Sequence, residues 1–177
     1  MDNLVSAGWL DTHLDDPDLL VICCGNPAKW SGARGMYQTM SGRDEWQGGH
    51  IPGSCYADFT NEGFTGEAAK FRNTLPAPQA FGNAMARLGV HNAARVVLYD
   101  AGDMQWAARV WWMLRWIGFD RAMVLDGGLR AWRAAGGQVS DTPPISLAAE
   151  LPCKTRPELF VTCKDVKAAV QKGTLLI

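Results

Sequence analysis

The stretch Arg95-Val96-Val97-Leu98-Tyr99-Asp100-Ala101-Gly102-Asp103-Met104-Gln105 predicts a buried strand, a tight loop and the start of a helix in direct succession. The helix is expected to begin near Trp106 and to end at Ile117, before Gly118. A junction of this kind points backbone N–H groups and the positive end of the helix dipole at whatever occupies the loop. A thiolate there would be strongly nucleophilic, because its pKa would be lowered. The loop instead carries two carboxylates and no cysteine, so the stretch predicts an anion pocket without a reactive thiol.

The rest of the chain alternates buried strands with helices. Further strands are expected at 19–23, 55–59 and 122–125, and further helices at 6–14, 78–88 and 129–134. Residues 26–49 are rich in glycine and polar side chains and are predicted to form a long surface excursion. This alternation is typical of an α/β domain with a mostly parallel sheet flanked by helices, whose ligand site lies at the carboxyl ends of the strands.

Composition narrows the function classes. A net charge of −1 and a pI near 6.3 give no electrostatic case for a nucleic-acid or membrane partner. The amino terminus shows no signal-peptide pattern, and no apolar run approaches the ~18 residues that span a bilayer. Five cysteines without framework spacing predict a reduced, cytoplasmic protein. The adjacent Cys23 and Cys24 have no further ligands at zinc spacing, so no metal is expected, and the two side chains should be buried on opposite faces of a strand.

The carboxy-terminal part restates the opening of the chain. Ser6 and Thr162 both follow a valine and are predicted helix caps, with Asp165 completing a capping box at the second. Apolar strands then end at Ile22, 16 residues after Ser6, and at Ile177, 15 residues after Thr162. Such an echo indicates a duplication. We therefore expect one complete unit at 1–138, a proline-rich linker at 139–158, and the truncated start of a second unit at 159–177.

Three motifs in order carry a resemblance to a known family. They are Trp46-Gln47-Gly48-Gly49-His50-Ile51-Pro52-Gly53, then Arg109-Val110-Trp111-Trp112-Met113-Leu114-Arg115, and Leu125-Asp126-Gly127-Gly128-Leu129 followed by Trp132. Together they resemble a rhodanese domain, and more narrowly the amino-terminal half of the tandem thiosulfate and 3-mercaptopyruvate sulfurtransferases. The resemblance implies a fragment whose partner is the carboxy-terminal rhodanese domain of the same parent chain.

In that family only the carboxy-terminal copy has the catalytic cysteine, in the loop equivalent to 100–105. That cysteine carries sulfur as a persulfide from a small sulfur donor to cyanide or a thiol, with no cofactor. The resemblance therefore implies that this chain is inactive alone and has no catalytic residue. It also implies that Asp103, Gln105 and Trp106 border the partner's pocket and that an aromatic surface survives at Trp106. The chain departs from the family pattern where Cys23-Cys24-Gly25 replaces an Asp-Ala-Arg-like stretch.

Several side chains allow more than one interpretation. His50 could be a general base, but it is expected to fix the turn at Pro52 and Gly53 through backbone hydrogen bonds, since no nucleophile lies beside it. Cys163 precedes a helical run, as a nucleophile would, but it matches Ala7 in the repeat. Arg109 is expected to pair with Asp100 or Asp103, and Asp126 is expected to cap the last helix of the unit.

Two rival functions stay open at this point. The first is a sulfurtransferase that acts alone through one of the five cysteines present. The second is a catalytically dead rhodanese module that binds another protein through an exposed apolar patch around Trp106.

Overall fold

The computed structural model describes residues 2–31, 36–60, 63–66, 73–145 and 148–173. Seven strands are present in this part of the chain: β1 (Leu4–Val5), β2 (Leu19–Cys23), β3 (Ala28–Ser31), β4 (Met36–Thr39), β5 (Cys55–Tyr56), β6 (Arg95–Tyr99) and β7 (Ala122–Leu125). Six α-helices accompany them: α1 (Ala7–His13), α2 (Arg43–Gln47), α3 (Pro78–Arg87), α4 (Gln105–Trp116), α5 (Gly128–Ala134) and α6 (Cys163–Gln171).

Five strands form one parallel sheet in the order β1-β7-β6-β2-β5. The central strand β6 pairs with β2 from Leu19↔Arg95 to Cys23↔Tyr99. Its residues alternate between two apolar layers, since successive side chains of a strand point to opposite faces. Val96 and Leu98 pack with α3 and α4, whereas Val97 and Tyr99 pack with α1 and α5. The predicted α/β class with helices on both faces of a parallel sheet is confirmed.

The region 26–49 is more structured than its sequence predicts. It contains the antiparallel pair β3–β4 and the five-residue helix α2, on which Trp46 is only 6% exposed. Both elements are too short to give a clear hydrophobic period, so composition alone indicated a loop. The strand predicted at 55–59 is also shorter, because β5 pairs with β2 only at Ile22↔Cys55 and Cys23↔Tyr56.

The residues predicted to begin or end helices do so at Ser6, Thr162 and Gly118, but not at Asp126. Ser6 accepts a hydrogen bond from the backbone N–H of Trp9, and Thr162 forms the predicted capping box with Asp165. Gly118 has a φ of 92° directly after α4, as expected of a residue that ends a helix. The expectation for Asp126 is wrong. The cap of α5 is Gly127, which has a φ of 67°, and the Asp126 side chain is exposed.

The predicted linker contains no helix or strand over its described residues before the 3-10 turn at Pro157–Leu159. Its second half nevertheless packs on the first unit, where Leu151 is 5% exposed. Helix α6, by contrast, has no buried residue. The strand predicted to end at Ile177 lies outside the described residues.

Candidate functional site

The loop at 100–105 encloses a carboxylate of the chain itself. Asp100 is 1% exposed, and its two oxygens accept four backbone hydrogen bonds. Oδ1 accepts from the N–H groups of Gly102 and Met104 at 3.0 and 2.9 Å. Oδ2 accepts from those of Trp106 and Ala107, in the first turn of α4, at 3.1 and 3.2 Å. The predicted anion pocket is therefore present, and Asp100 occupies it.

The backbone of the loop is shaped to turn its N–H groups inward. Met104, the N-cap of α4, has φ 59° and ψ 5°, a left-handed conformation that a side chain makes unfavourable by about 1 kcal/mol or more. Gly128 lets the next turn approach, because a Cβ there would lie 2.5 Å from the Asp100 carbonyl oxygen. The same carbonyl accepts a hydrogen bond from Leu129 N–H at 2.9 Å. The turn between β7 and α5 thus packs against the loop and holds its backbone in place through this hydrogen bond.

A cleft of about 160 Å³ opens above this loop, at the carboxyl ends of β2 and β6. Asp103, Gln105 and Trp106, which the resemblance places at the border of the partner domain's pocket, line this cleft of the chain itself, together with Gly25 and Glu45. A smaller cavity of about 70 Å³ lies beside it and shares Gly25, Glu45, Asp100 and Ala101. Asp103 and Glu45 are exposed carboxylates, so the cleft has a charge that would repel thiosulfate or a mercaptopyruvate carboxylate.

The expected aromatic surface at Trp106 is absent. Trp106 is only 8% exposed and packs against Phe59, with 4.8 Å between the ring centroids. Trp106 lies on the same face of α4 as Val110 and Met113, which are also buried, so the helix period directs its ring into the core. The exposed apolar patch required by the protein-binding alternative is therefore missing at this position.

His50 is fully buried and bonded to the backbone. Its Nδ1 lies 2.8 Å from the Trp46 carbonyl oxygen and its Nε2 lies 3.3 Å from that of Thr142. Its ring stacks on Trp46, with 4.3 Å between centroids. The turn that follows has Gly53 at a φ of 72°. The ring of His50 contacts backbone carbonyl groups, as expected, but these belong to Trp46 and Thr142 and not to the turn at Pro52 and Gly53.

Arg109 does not pair with Asp100 or Asp103, so that expectation is wrong. Its guanidinium donates to the Asn73 carbonyl oxygen at 2.6 Å and lies 5.8 Å from the centre of the Phe59 ring. Burial without a carboxylate lowers the pKa of Arg109 from its ordinary value. The physical reason for the difference at Asp100 is that both of its oxygens turn inward, where the loop supplies the donors to Oδ1 and the first turn of α4 supplies the donors to Oδ2.

The five cysteines all lie in the described part of the chain, form no disulfide with one another and have different surroundings. Cys23 is 8% and Cys24 0% exposed, and they belong to the apolar layers on opposite faces of the sheet, as predicted. Burial raises the pKa of Cys23 to about 11 and that of Cys24 well above the ordinary value. Cys163 is exposed at the first position of α6. Among the described residues, no group of three or more His, Cys, Asp or Glu side chains is arranged to hold a metal ion.

Two features of the cleft could not be found by sequence reasoning. Glu45, which lies on α2, lines the cleft. It was missed because a five-residue helix gives almost no periodic signal, so the stretch was predicted to be irregular. The left-handed Met104 has no sequence signal at all, since glycine or asparagine usually occupies such positions.

The described residues contain no helix with both the length and the apolar character that a membrane crossing needs.

A parallel α/β sheet with an anion pocket between β6 and α4 defines a class of domain, and comparison with known proteins identifies its family. The sequence pattern of the rhodanese-like domain matches residues 6–135, and the chain belongs to this family.

Similar proteins include 3-mercaptopyruvate sulfurtransferases. That of Escherichia coli K12 is 31% identical over 173 residues, covering 98% of this chain and 59% of the relative. Thiosulfate/3-mercaptopyruvate sulfurtransferase 2 of Arabidopsis thaliana is 37% identical over 139 residues, covering 78% of this chain and 38% of the relative. The crystal structure of SseA from Escherichia coli, a 3-mercaptopyruvate sulfotransferase, superposes with a TM-score of 0.83 at 29% identity, covering 98% of this chain and 63% of that one. This chain thus spans between about two fifths and three fifths of the length of these relatives.

Proposed function

We propose that this chain is the amino-terminal, non-catalytic half of a tandem-rhodanese sulfurtransferase. The observation that carries the proposal is the position of Asp100. Its carboxylate already binds the four N–H groups that would stabilise a thiolate or a sulfur-bearing anion in the loop. A carboxylate cannot accept a sulfur atom to form a persulfide, so the loop has the shape of a sulfurtransferase site without its nucleophile.

The carboxy-terminal residues support the tandem arrangement. Helix α6 has the same type of cap as α1, but within the described part of the chain no layer covers its apolar side chains. Val166 and Val170 are 37% and 59% exposed, whereas Leu10, which matches Val166 in the repeat, is 0% exposed. An apolar helix face of this kind is normally buried. We infer that it packs on the sheet of a second rhodanese-like domain, which is the partner of the first unit.

In the complete protein, a cysteine thiolate of the second domain would attack the donor sulfur, breaking its S–S bond in thiosulfate to release sulfite or its C–S bond in 3-mercaptopyruvate to release pyruvate. Attack by cyanide or a thiol on the outer sulfur of the resulting persulfide would then release the cysteine thiolate. The first unit would supply the wall made by Asp103, Gln105 and Trp106. Five cysteines that form no disulfide with one another, two of them buried on the sheet, support a reducing compartment, and the cytoplasm is our proposal for the location of the protein.

The proposal is tested with the purified chain, thiosulfate or 3-mercaptopyruvate as donor, and cyanide as acceptor. We expect thiocyanate formation at the rate of buffer, and no persulfide on any cysteine after donor treatment and peptide mapping by mass spectrometry. Turnover that disappears in a Cys163→Ser or Cys23→Ser variant would instead establish the stand-alone sulfurtransferase.

The protein-binding alternative needs a different observation. A catalytically dead module would stay monomeric and capture a specific partner through its apolar patch. Because Trp106 is buried, such a partner would have to bind elsewhere. We attribute the exposed apolar side chains of 160–170 to contact with a second rhodanese-like domain of the parent protein.

A further inference from the structure

The second half of the predicted linker, residues 149–156, lies against the first unit as an ordered strap. Ala149 donates its N–H to the Ala86 carbonyl oxygen at 2.9 Å, near the end of α3. Lys154 and Arg156 donate theirs to the carbonyl oxygens of Ile117 and Trp116, at the end of α4, at 2.9 and 2.8 Å. The last carbonyl groups of a helix have no partner within that helix. The strap therefore completes the hydrogen bonding of two helix ends in the first unit.

Two glycines let the strap approach this closely. A Cβ on Gly82, inside α3, would lie 2.2 Å from Cys153 Sγ, and a Cβ on Gly118 would lie 2.7 Å from the Lys154 carbonyl oxygen. Glycine within a helix is unfavourable compared with alanine, so its presence at position 82 indicates a packing requirement. Leu151, 5% exposed, enters the apolar layer formed by α3 and α4. Close packing, as well as hydrogen bonding, thus holds the strap against the first unit.

An ion pair holds the end of the strap. Both terminal nitrogens of Arg156 bind the two carboxylate oxygens of Asp120, with 2.6 Å between Nη1 and Oδ1. This bidentate geometry fixes the orientation of the guanidinium as well as its position. Asp120 lies between α4 and β7, so the pair attaches the strap to the same region that Lys154 and Arg156 reach through their backbone.

The path from the strap to α6 is short. The 3-10 turn at Pro157–Leu159 follows Arg156 directly, and Phe160 N–H donates to the Pro157 carbonyl oxygen at 3.1 Å. Only Val161 separates Phe160 from Thr162, which caps α6. We propose that the strap is a positioning element: by seating on Gly82 and Gly118 and pairing Arg156 with Asp120, it fixes the direction in which the apolar face of α6 is presented. This holds whether or not the domain that covers α6 is catalytic.

The proposal predicts that weakening the contacts between the strap and the first unit lets α6 move independently, while the first unit stays folded. The test variant is Gly82→Ala, whose new methyl group meets Cys153 Sγ. Gly8→Ala is the matched control, because Gly8 also lies in a helix and a Cβ there meets nothing within 4 Å. Gly82→Ala with Cys153→Ala removes the collision and should restore the seat. Asp120→Ala removes the ion pair with Arg156, together with the longer 3.7 Å contact to Arg115, without changing α3.

Two measurements report the outcome. Amide hydrogen exchange follows the N–H groups of Lys154 and Arg156, and the fluorescence anisotropy decay of a dye on the exposed thiol of Cys163 follows the motion of α6. In the unaltered chain and in Gly8→Ala, we expect protected amides and a dye that tumbles with the whole unit. In Gly82→Ala we expect exchange faster by roughly tenfold, and in Asp120→Ala a smaller increase of roughly two- to fivefold because both ion-pair partners are partly exposed. Both variants should show a larger fast component of the decay. The double variant should reverse both effects of Gly82→Ala.

Either of two results would overturn the proposal. One is a dye on the unaltered chain that already tumbles independently of the first unit. The other is wild-type exchange and anisotropy in both Gly82→Ala and Asp120→Ala. Neither outcome bears on sulfur transfer, so the positioning role and the proposed function can fail separately.

Discussion

Replacing Asp100 tests the interpretation of the loop as an anion pocket filled from within. In Asp100→Ala, the N–H groups of Gly102, Met104, Trp106 and Ala107 lose their common acceptor. Each hydrogen bond to a charged group contributes about 1.5–3 kcal/mol, and water entering from the cleft replaces part of that contribution. We expect the free energy of unfolding to fall by about 4 kcal/mol, comparable to breaking other buried polar networks. For a chain of this length the melting temperature should drop by about 8–16 °C.

Asp100→Asn separates charge from shape. An amide keeps one acceptor oxygen but places an NH₂ group against two N–H donors, so one pair of hydrogen bonds is lost and the donors face each other. We expect this variant to be destabilised nearly as much as Asp100→Ala. Asp103→Asn is the matched control, since its carboxylate is exposed on the same loop and its replacement should change stability by less than about 0.5 kcal/mol.

The emptied pocket should also bind an added anion. Urea denaturation with and without sulfate measures this directly, because a ligand that binds only the folded state raises its stability. Sulfate should stabilise Asp100→Ala more than it stabilises the unaltered chain or Asp103→Asn. The reasoning would be refuted if Asp100→Ala and Asp103→Asn unfolded at the same urea concentration and responded equally to sulfate.

Three further predictions concern the thiols, an ion pair and a close approach. Ellman's reagent at pH 8 should label Cys163 rapidly and Cys23 only after unfolding, because Cys23 is buried and its pKa is raised to about 11; rapid labelling of Cys23 would contradict its assigned position. The side-chain hydrogen bond to Arg95 lowers the pKa of Asp18. The pair therefore stabilises the folded state at pH values above the ordinary aspartate pKa. This stabilisation is lost as the pH falls through the lowered pKa. The stability difference between the unaltered chain and Arg95→Met should therefore shrink from pH 6 to about pH 3 in urea titrations, and a constant difference would argue against it. Gly42→Ala should lower the melting temperature by several degrees, since its Cβ would lie 2.3 Å from a backbone oxygen and overpacking costs about 1–3 kcal/mol; an unchanged melting temperature would show that the loop yields freely.

The sequence predicted those features that depend on local pattern. The continuous apolar run of β6 and the glycine after α4 placed both elements to within a residue of their observed bounds. The side-chain period of two placed Cys23 and Cys24 on opposite faces, and the spacing of Thr162 and Asp165 gave the capping box. In each case the physical cause acts over a few neighbouring residues.

Features that depend on contacts between distant segments were mispredicted or missed. Arg109 lies within reach of the loop along the chain, but its guanidinium bonds to Asn73, 36 positions earlier. The burial of Trp106 was missed for a different reason: the expectation of a surface followed the resemblance, whereas the helix period places Trp106 on the buried face of α4 with Val110 and Met113. The strap has the composition of a free linker, and its seat depends on Gly82, a residue whose role becomes visible only when Cys153 is placed beside it.

The carboxylate at position 100 has a consequence for how freely the surrounding residues can vary. A loop that needs an external ion to hold its shape must retain affinity for that ion, and its neighbours are constrained accordingly. Here the counter-charge is covalently part of the polypeptide, so the loop needs no bound ion to hold its shape. Residues on the rim, such as Asp103 and Gln105, therefore have no part in holding the loop and can vary with the surface or pocket that faces them.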